Sequence, residues 1–146
     1  MAASINHLRK DPDMKPFYAL LFVACAFSAT ASAADVLARY SAEAARAEPG
    51  FTPSAARGQA LFQRAWNATP SLPRCTTCHG DEPRRAGRHA VTGKAIQPMH
   101  PAAEPARFAD LAKTEKWFRR NCREVVGREC SAGEKADVVT YLMQGA

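Results

Sequence analysis

Apolar and polar positions along the chain recur at helical rather than strand spacing. The Ala-rich stretch from Asp35 to Glu48, stopped by Pro49-Gly50, predicts a helix. Ser54 can cap a second, running from Ala55 to about Trp66, with Leu61, Phe62, Ala65 and Trp66 at helical spacing. Gly58 inside it costs about 1 kcal/mol against alanine, which suggests a close helix crossing at that point. Residues 80–110 carry Gly and Pro repeatedly with few apolar positions and read as loop. Thr114 is a cap candidate for a third helix reaching about Val126, where Gly127 ends it. Ser131 and Glu134 form an S-x-x-E capping box that opens a last helix to about Met143, with Ala136, Val138, Val139, Tyr141 and Leu142 available for packing. Neither β-type alternation of useful length nor an internal repeat occurs, so the expected class is all-α.

The N-terminus has a different character. A basic and polar stretch precedes the apolar run Phe17 to Phe27, and Ala31-Ser32-Ala33 follows as an A-x-A cleavage signature. That run is well short of the roughly 20 residues needed to span a bilayer. The pattern predicts a secretory leader over residues 1–33, cleaved near Ala33, with Met14 an alternative start, and hence export to the periplasm. Residues 34–50 would then be an N-terminal helical extension and 51–146 the main domain. The 113 residues left after cleavage suit one small domain, whose modest core a large enclosed cofactor would help complete. Their 17 basic and 12 acidic residues give a net charge of +5, which favours acidic partners. Nucleic acid is a poor candidate, because the basic residues are dispersed and an exported protein rarely meets it.

Cys25 would leave with the leader, and Cys75, Cys78, Cys122 and Cys130 would remain. Cys75-Thr76-Thr77-Cys78-His79 is C-x-x-C-H, the attachment sequence for c-type haem. Two thiols add to the porphyrin vinyl groups, and the next residue's imidazole reaches the iron. A thioredoxin-like pair would need a βαβ pattern that is missing, and a zinc site would need a partner pair at ligand spacing that is not evident. The motif therefore predicts one covalent haem c, with His79 as the proximal ligand. The two remaining cysteines, eight residues apart, are most simply a disulfide in an oxidising compartment.

The group opposite His79 decides whether iron only passes electrons or also binds a small molecule. Met99, in the Pro-flanked loop Ile96 to Pro101, is the conventional choice; Met143, His89, His100, Lys94 and Lys113 are weaker ones. Asn121 is the less expected candidate. Trp117, Phe118, Asn121, Cys122 and Val125 share one helix face, and an amide on that apolar stripe needs a partner. Iron, a backbone group or a haem propionate would each serve.

The segment Glu115 to Cys130, together with Cys75 to His79 and Gly93-Lys-Ala-Ile-Gln-Pro98, resembles the small haem proteins related to Sphaeroides haem protein. The resemblance implies a class I-like cytochrome c fold around one haem, with an asparagine opposite the proximal histidine beside a disulfide. Carried over residue by residue, the distal ligand is Asn121 and the bridge is Cys122–Cys130. It further implies binding of O2, NO or CO at ferrous haem, and electron exchange with another cytochrome, such as a dihaem cytochrome c or a membrane cytochrome b, by a monomer. Met99 keeps a sulfur near the expected distal loop, so a His79/Met99 electron carrier is the alternative. Arg119 and Arg120 could meet haem propionates, an acidic partner or only solvent. No nucleophile, acid–base pair or substrate pocket is evident in the sequence, so nothing in it argues for dedicated catalysis.

Overall fold

The computed structural model describes residues 32–145. Of the expected leader only Ser32 and Ala33 fall among them; the rest lies outside the described residues. Helix α1 spans Ala33–Ala47. Ser32 caps it: the Ser32 hydroxyl accepts from the Asp35 N–H at 3.3 Å, and the Asp35 carboxylate accepts from the Ser32 N–H at 2.8 Å. Val36, Tyr40 and Ala44, four residues apart, form its buried face.

Helix α2 covers Ala55–Gln63, capped by Ser54 as expected but ending about a turn before Trp66. The chain leaves the helix at Arg64, and the Trp66 indole folds back to donate to the Leu61 carbonyl at 3.2 Å. One-turn helix α3 is Thr76–His79, closed by Gly80 at φ +73°. Two-residue strands β1 (Gly87–Arg88) and β2 (Ala95–Ile96) pair antiparallel within the segment expected to be loop, with Gly87 opposite Ile96. The pairing was invisible to a pattern reading because two residues carry no periodicity.

Helix α4 spans Leu111–Val125. Its cap is Asp110, which accepts from the Lys113 N–H at 2.9 Å, and not Thr114. Thr114 lies inside the helix and returns its hydroxyl to the Asp110 carbonyl at 2.7 Å. Helix α5, Ala132–Gln144, opens on the expected capping box.

Helix α5 is the spine of the fold. Ala136, Val138, Val139, Tyr141 and Leu142 are all buried, joined by Val36 and Tyr40 of α1, Phe62 of α2 and Phe108. Full burial of one such aliphatic side chain is worth about 1.5–3 kcal/mol. Helix α2 crosses α5 at Gly58, where an added Cβ would lie 2.0 Å from the Asp137 carbonyl oxygen. The crossing is fastened beside that point, where the buried Asp137 carboxylate accepts from the Ser54 N–H at 2.7 Å and from Arg57 Nε at 2.7 Å.

Candidate cofactor site

The Cys75–His79 motif folds as a single helical turn, because i to i+3 spacing places Cys75 and Cys78 on one side and brings His79 round beside them. Neither cysteine belongs to a disulfide, and each is partly buried. The turn is pressed from behind by β1. A Cβ on Gly87 would stand 2.2 Å from the Cys78 carbonyl oxygen and 2.9 Å from the His79 Cα, so only glycine permits this approach. The hairpin adds a hydrogen bond from the Ala90 N–H to Cys78 Sγ at 3.3 Å.

His79 faces the core. Its ring lies 5.8 Å from that of Phe62, which in turn lies 5.7 Å from Tyr141 on α5. Its Nδ1 is buried and has no hydrogen-bond partner among the described residues. Burial, reinforced by the positive charge of Arg107 and by His89, pulls the imidazole pKa down to about 4. The ring is therefore uncharged at neutral pH, as a metal-binding imidazole must be. Burial likewise pushes the Cys75 thiol up to about 11.

Cys75, Met99 and Phe118 all pack, only partly buried, against the same core cluster. The attachment turn, the 97–107 loop and α4 thus converge on one apolar region. Pro83 ties the loop in place, its carbonyl accepting from the Met99 and His100 N–H groups at 2.8 and 2.9 Å. Phe108, just beyond, holds a left-handed φ of +62°, and is buried in the core. For a bulky side chain that costs on the order of 1–3 kcal/mol.

The candidates for the second axial position separate by their engagements. Nδ1 of the buried His100 accepts from the Ala102 N–H at 2.9 Å, and Nδ1 of His89 accepts from the Val91 N–H at 3.2 Å. Lys94 and Lys113 are exposed, and Met143 packs at the end of α5. Asn121 is half-buried one turn after Phe118, flanked by the buried Cys122 and Val125. Among the described residues, the side-chain hydrogen bonds formed from α4 use Thr114, Glu115, Arg120, Arg123 and Glu124; Asn121 takes part in none of them. Trp117, expected on the same stripe, is 44 % exposed and lies at its edge under Arg120. Arg119 is exposed, and Arg120 is also occupied by Glu124 at 3.0 Å.

Directly after Asn121, Cys122 Sγ lies 1.98 Å from Cys130 Sγ, in disulfide geometry, across the turn between α4 and α5. From α1, Tyr40 sets its ring edge-on to Phe118 at 5.7 Å. Sequence reasoning missed three residues that shape the site: Gly87, Pro83 and Arg107. Each acts through a partner more than eight residues away, and no local signal marks such a contact.

Comparison with known proteins places this arrangement. Residues 48–142 match a domain of unknown function, DUF1924. The cytochrome c-type protein SHP of Cereibacter sphaeroides is 45% identical over 118 residues, covering 80% of this chain and 87% of that protein. The chain belongs to the SHP family of c-type cytochromes. Cytochrome c'' of Methylophilus methylotrophus is a more distant relative at 34% identity, over 86% of this chain and 89% of that one. The structure of oxidised SHP, described as an oxygen-binding cytochrome c, superposes with a TM-score of 0.71 over 79% of this chain and 98% of that one. Oxidised cytochrome c'' gives 0.71 over 78% and 94%. A solution structure of cytochrome c'', concerned with haem-ligand detachment, gives 0.66 at 32% identity, over 77% and 92%.

The fold is thus the small all-α cytochrome c fold, and the cofactor of this SHP-family chain is covalently bound haem c. The residues present fit that group. Two cysteines outside any disulfide stand beside a partly buried, neutral imidazole whose Nδ1 is buried, and Cys75 packs against the apolar core cluster.

Proposed function

We propose that this chain is an exported cytochrome c that binds a diatomic gas, O2, NO or CO, when reduced and exchanges electrons with another cytochrome. Covalent haem supplies a one-electron couple and, where an axial position is free, a site for such a gas. Cys75 and Cys78 would each add S–H across a vinyl group, sulfur to one carbon and hydrogen to the other, and the resulting thioethers would fix the group against the core. His79 presents a neutral imidazole nitrogen, held steady by Phe62 on one side and the backbone contact at Gly87 on the other. Asn121 would be the residue that holds the group from the other side, through its amide oxygen. That oxygen is a hard, weak donor better suited to ferric than to ferrous iron, so Asn121 would hold the reduced group less firmly and could give way to a gas. A disulfide between Cys122 and Cys130 ties the Asn121 helix to the start of α5 and limits its travel. The net charge of the exported chain suits an acidic redox partner.

The observation carrying this reading is the position of Asn121, half-buried on an apolar stripe that continues into the core through Phe118, with its amide engaged by no side-chain hydrogen bond among the described residues. The relatives support it in kind, one described as binding oxygen and another studied for haem-ligand detachment. The second reading is ligation by Met99, whose loop is pinned to Pro83 and packs on the same cluster. Asn121→Ala separates the two. The variant should keep its haem and show a high-spin, open site in both oxidation states; an unchanged spectrum with unchanged gas binding would leave the position to Met99.

A further inference from the structure

Arg107 is a half-buried cation that forms no close ion pair among the described residues, although the Glu104 carboxylate lies near enough to act on its charge. Its Nε donates to the Pro98 carbonyl at 3.0 Å and its Nη2 to the Gln97 carbonyl at 2.9 Å. Both acceptors are neutral and belong to the loop that carries Met99. The ion pairs among the described residues use Arg57, Arg85, Arg120, Arg123, Arg128 and Lys135, and not Arg107. The nearby Glu104 carboxylate accepts from the Ala106 N–H at 3.1 Å. A guanidinium has five N–H donors, so three remain free on Arg107 after its two carbonyl contacts.

The backbone delivers this side chain to the site. The left-handed Phe108 drops its own ring into the core and leaves Arg107 folded over the 97–98 carbonyls. The two acceptors of Arg107 immediately precede Met99, which packs with Cys75 of the attachment turn against the same core cluster. Arg119 and Arg120 offer nothing comparable, since both stand outside on the solvent face of α4.

We propose that Arg107 anchors a propionate of the haem, its free N–H groups forming the fork that a carboxylate fits and its two backbone contacts holding that fork in place. This rests on haem attachment at Cys75, Cys78 and His79, and is independent of which group lies opposite His79. The bound carboxylate makes Arg107 a positioning residue for the haem. Its charge favours the ferrous over the ferric iron, because the ferric centre carries one more positive charge.

The test uses the full haem-loaded chain and its Arg107→Met and Arg107→Lys variants, followed by redox titration and by the propionate bending mode in resonance Raman spectra. Arg107→Met should keep covalent haem, lose about tenfold in the reduction equilibrium constant, which is about 59 mV for one electron, and shift the propionate mode. Arg107→Lys should restore most of the potential but not the mode, since an ammonium keeps the charge and lacks the fork. A wild-type potential and mode in Arg107→Met, whatever its thermal stability, would overturn the proposal and leave Arg107 a staple for the 97–107 loop. Should that variant fail to accumulate, an unshifted propionate mode in Arg107→Lys overturns it equally. Absence of covalent haem from the unaltered protein would instead strike down the attachment itself.

Discussion

Adding one methyl group at Gly58 should loosen the whole molecule. On an isolated helix Gly→Ala is favourable by about 1 kcal/mol. Here the new Cβ would meet the Asp137 carbonyl oxygen at 2.0 Å, its carbon at 2.4 Å and the Val138 nitrogen at 2.9 Å. All three are backbone atoms of α5, so no side chain can rotate aside and the helices must separate. Overpacking of this kind costs about 1–3 kcal/mol, and a rigid obstacle puts the cost at the upper end. The net expectation for Gly58→Ala is a loss of about 2 kcal/mol, a fall in Tm of about 10 °C for a domain of this size. The shift would also pull Phe62 from its place between His79 and Tyr141. Thermal unfolding followed by far-UV circular dichroism measures it, with Gln59→Ala at an exposed position on the same helix as control. That control should stay within about 0.5 kcal/mol of the parent. A Gly58→Ala protein as stable as the parent, or more so, would refute the crossing argument.

Two further expectations concern stability. Replacing Cys122 and Cys130 by serine should cost on the order of 2.5 kcal/mol, the loop-closure entropy for cysteines eight residues apart, and thiol titration of the intact unfolded protein should find both sulfurs blocked. Arg128, and after it the Ser131 N–H, hold the Glu134 carboxyl below its ordinary range. A lowered folded pKa contributes stability above the ordinary carboxylate range and loses it as pH falls through the folded value. Glu134→Gln should therefore lower Tm at pH 7 and by progressively less as the pH falls below the ordinary carboxylate range, and a deficit that does not shrink in acid would contradict the assignment.

Local signals account for what the sequence disclosed. Ser54 and the Ser131/Glu134 box announce helix starts through side-chain oxygens that need only neighbouring N–H groups, and the buried face of α5 follows from spacing alone. Gly58 was legible because a glycine in mid-helix is anomalous unless something lies close. The misplacements were equally physical. Asp110 and Thr114 are both competent caps, and only the fold decides that the chain turns helical at Leu111. Trp66 continues the helical pattern of α2, yet it leaves the helix to lie under the guanidinium groups of Arg64 and Arg128, 4.4 and 5.7 Å from its ring. At the site, the C-x-x-C-H turn could be read directly because its chemistry is contained in five residues. Gly87 against Cys78, Pro83 under Met99 and Arg107 on Gln97 could not, since each pairing joins positions that no period relates.

The central claim is that Asn121 holds the distal position weakly and yields it on reduction. The most direct measurement is the visible spectrum of the pure haem-loaded protein, oxidised and then reduced, before and after CO. A high-spin reduced spectrum that shifts on adding CO is the result predicted here. A low-spin reduced spectrum indifferent to CO, with a sulfur-to-iron charge-transfer band in the oxidised form, would contradict it and make this protein an electron carrier ligated by Met99.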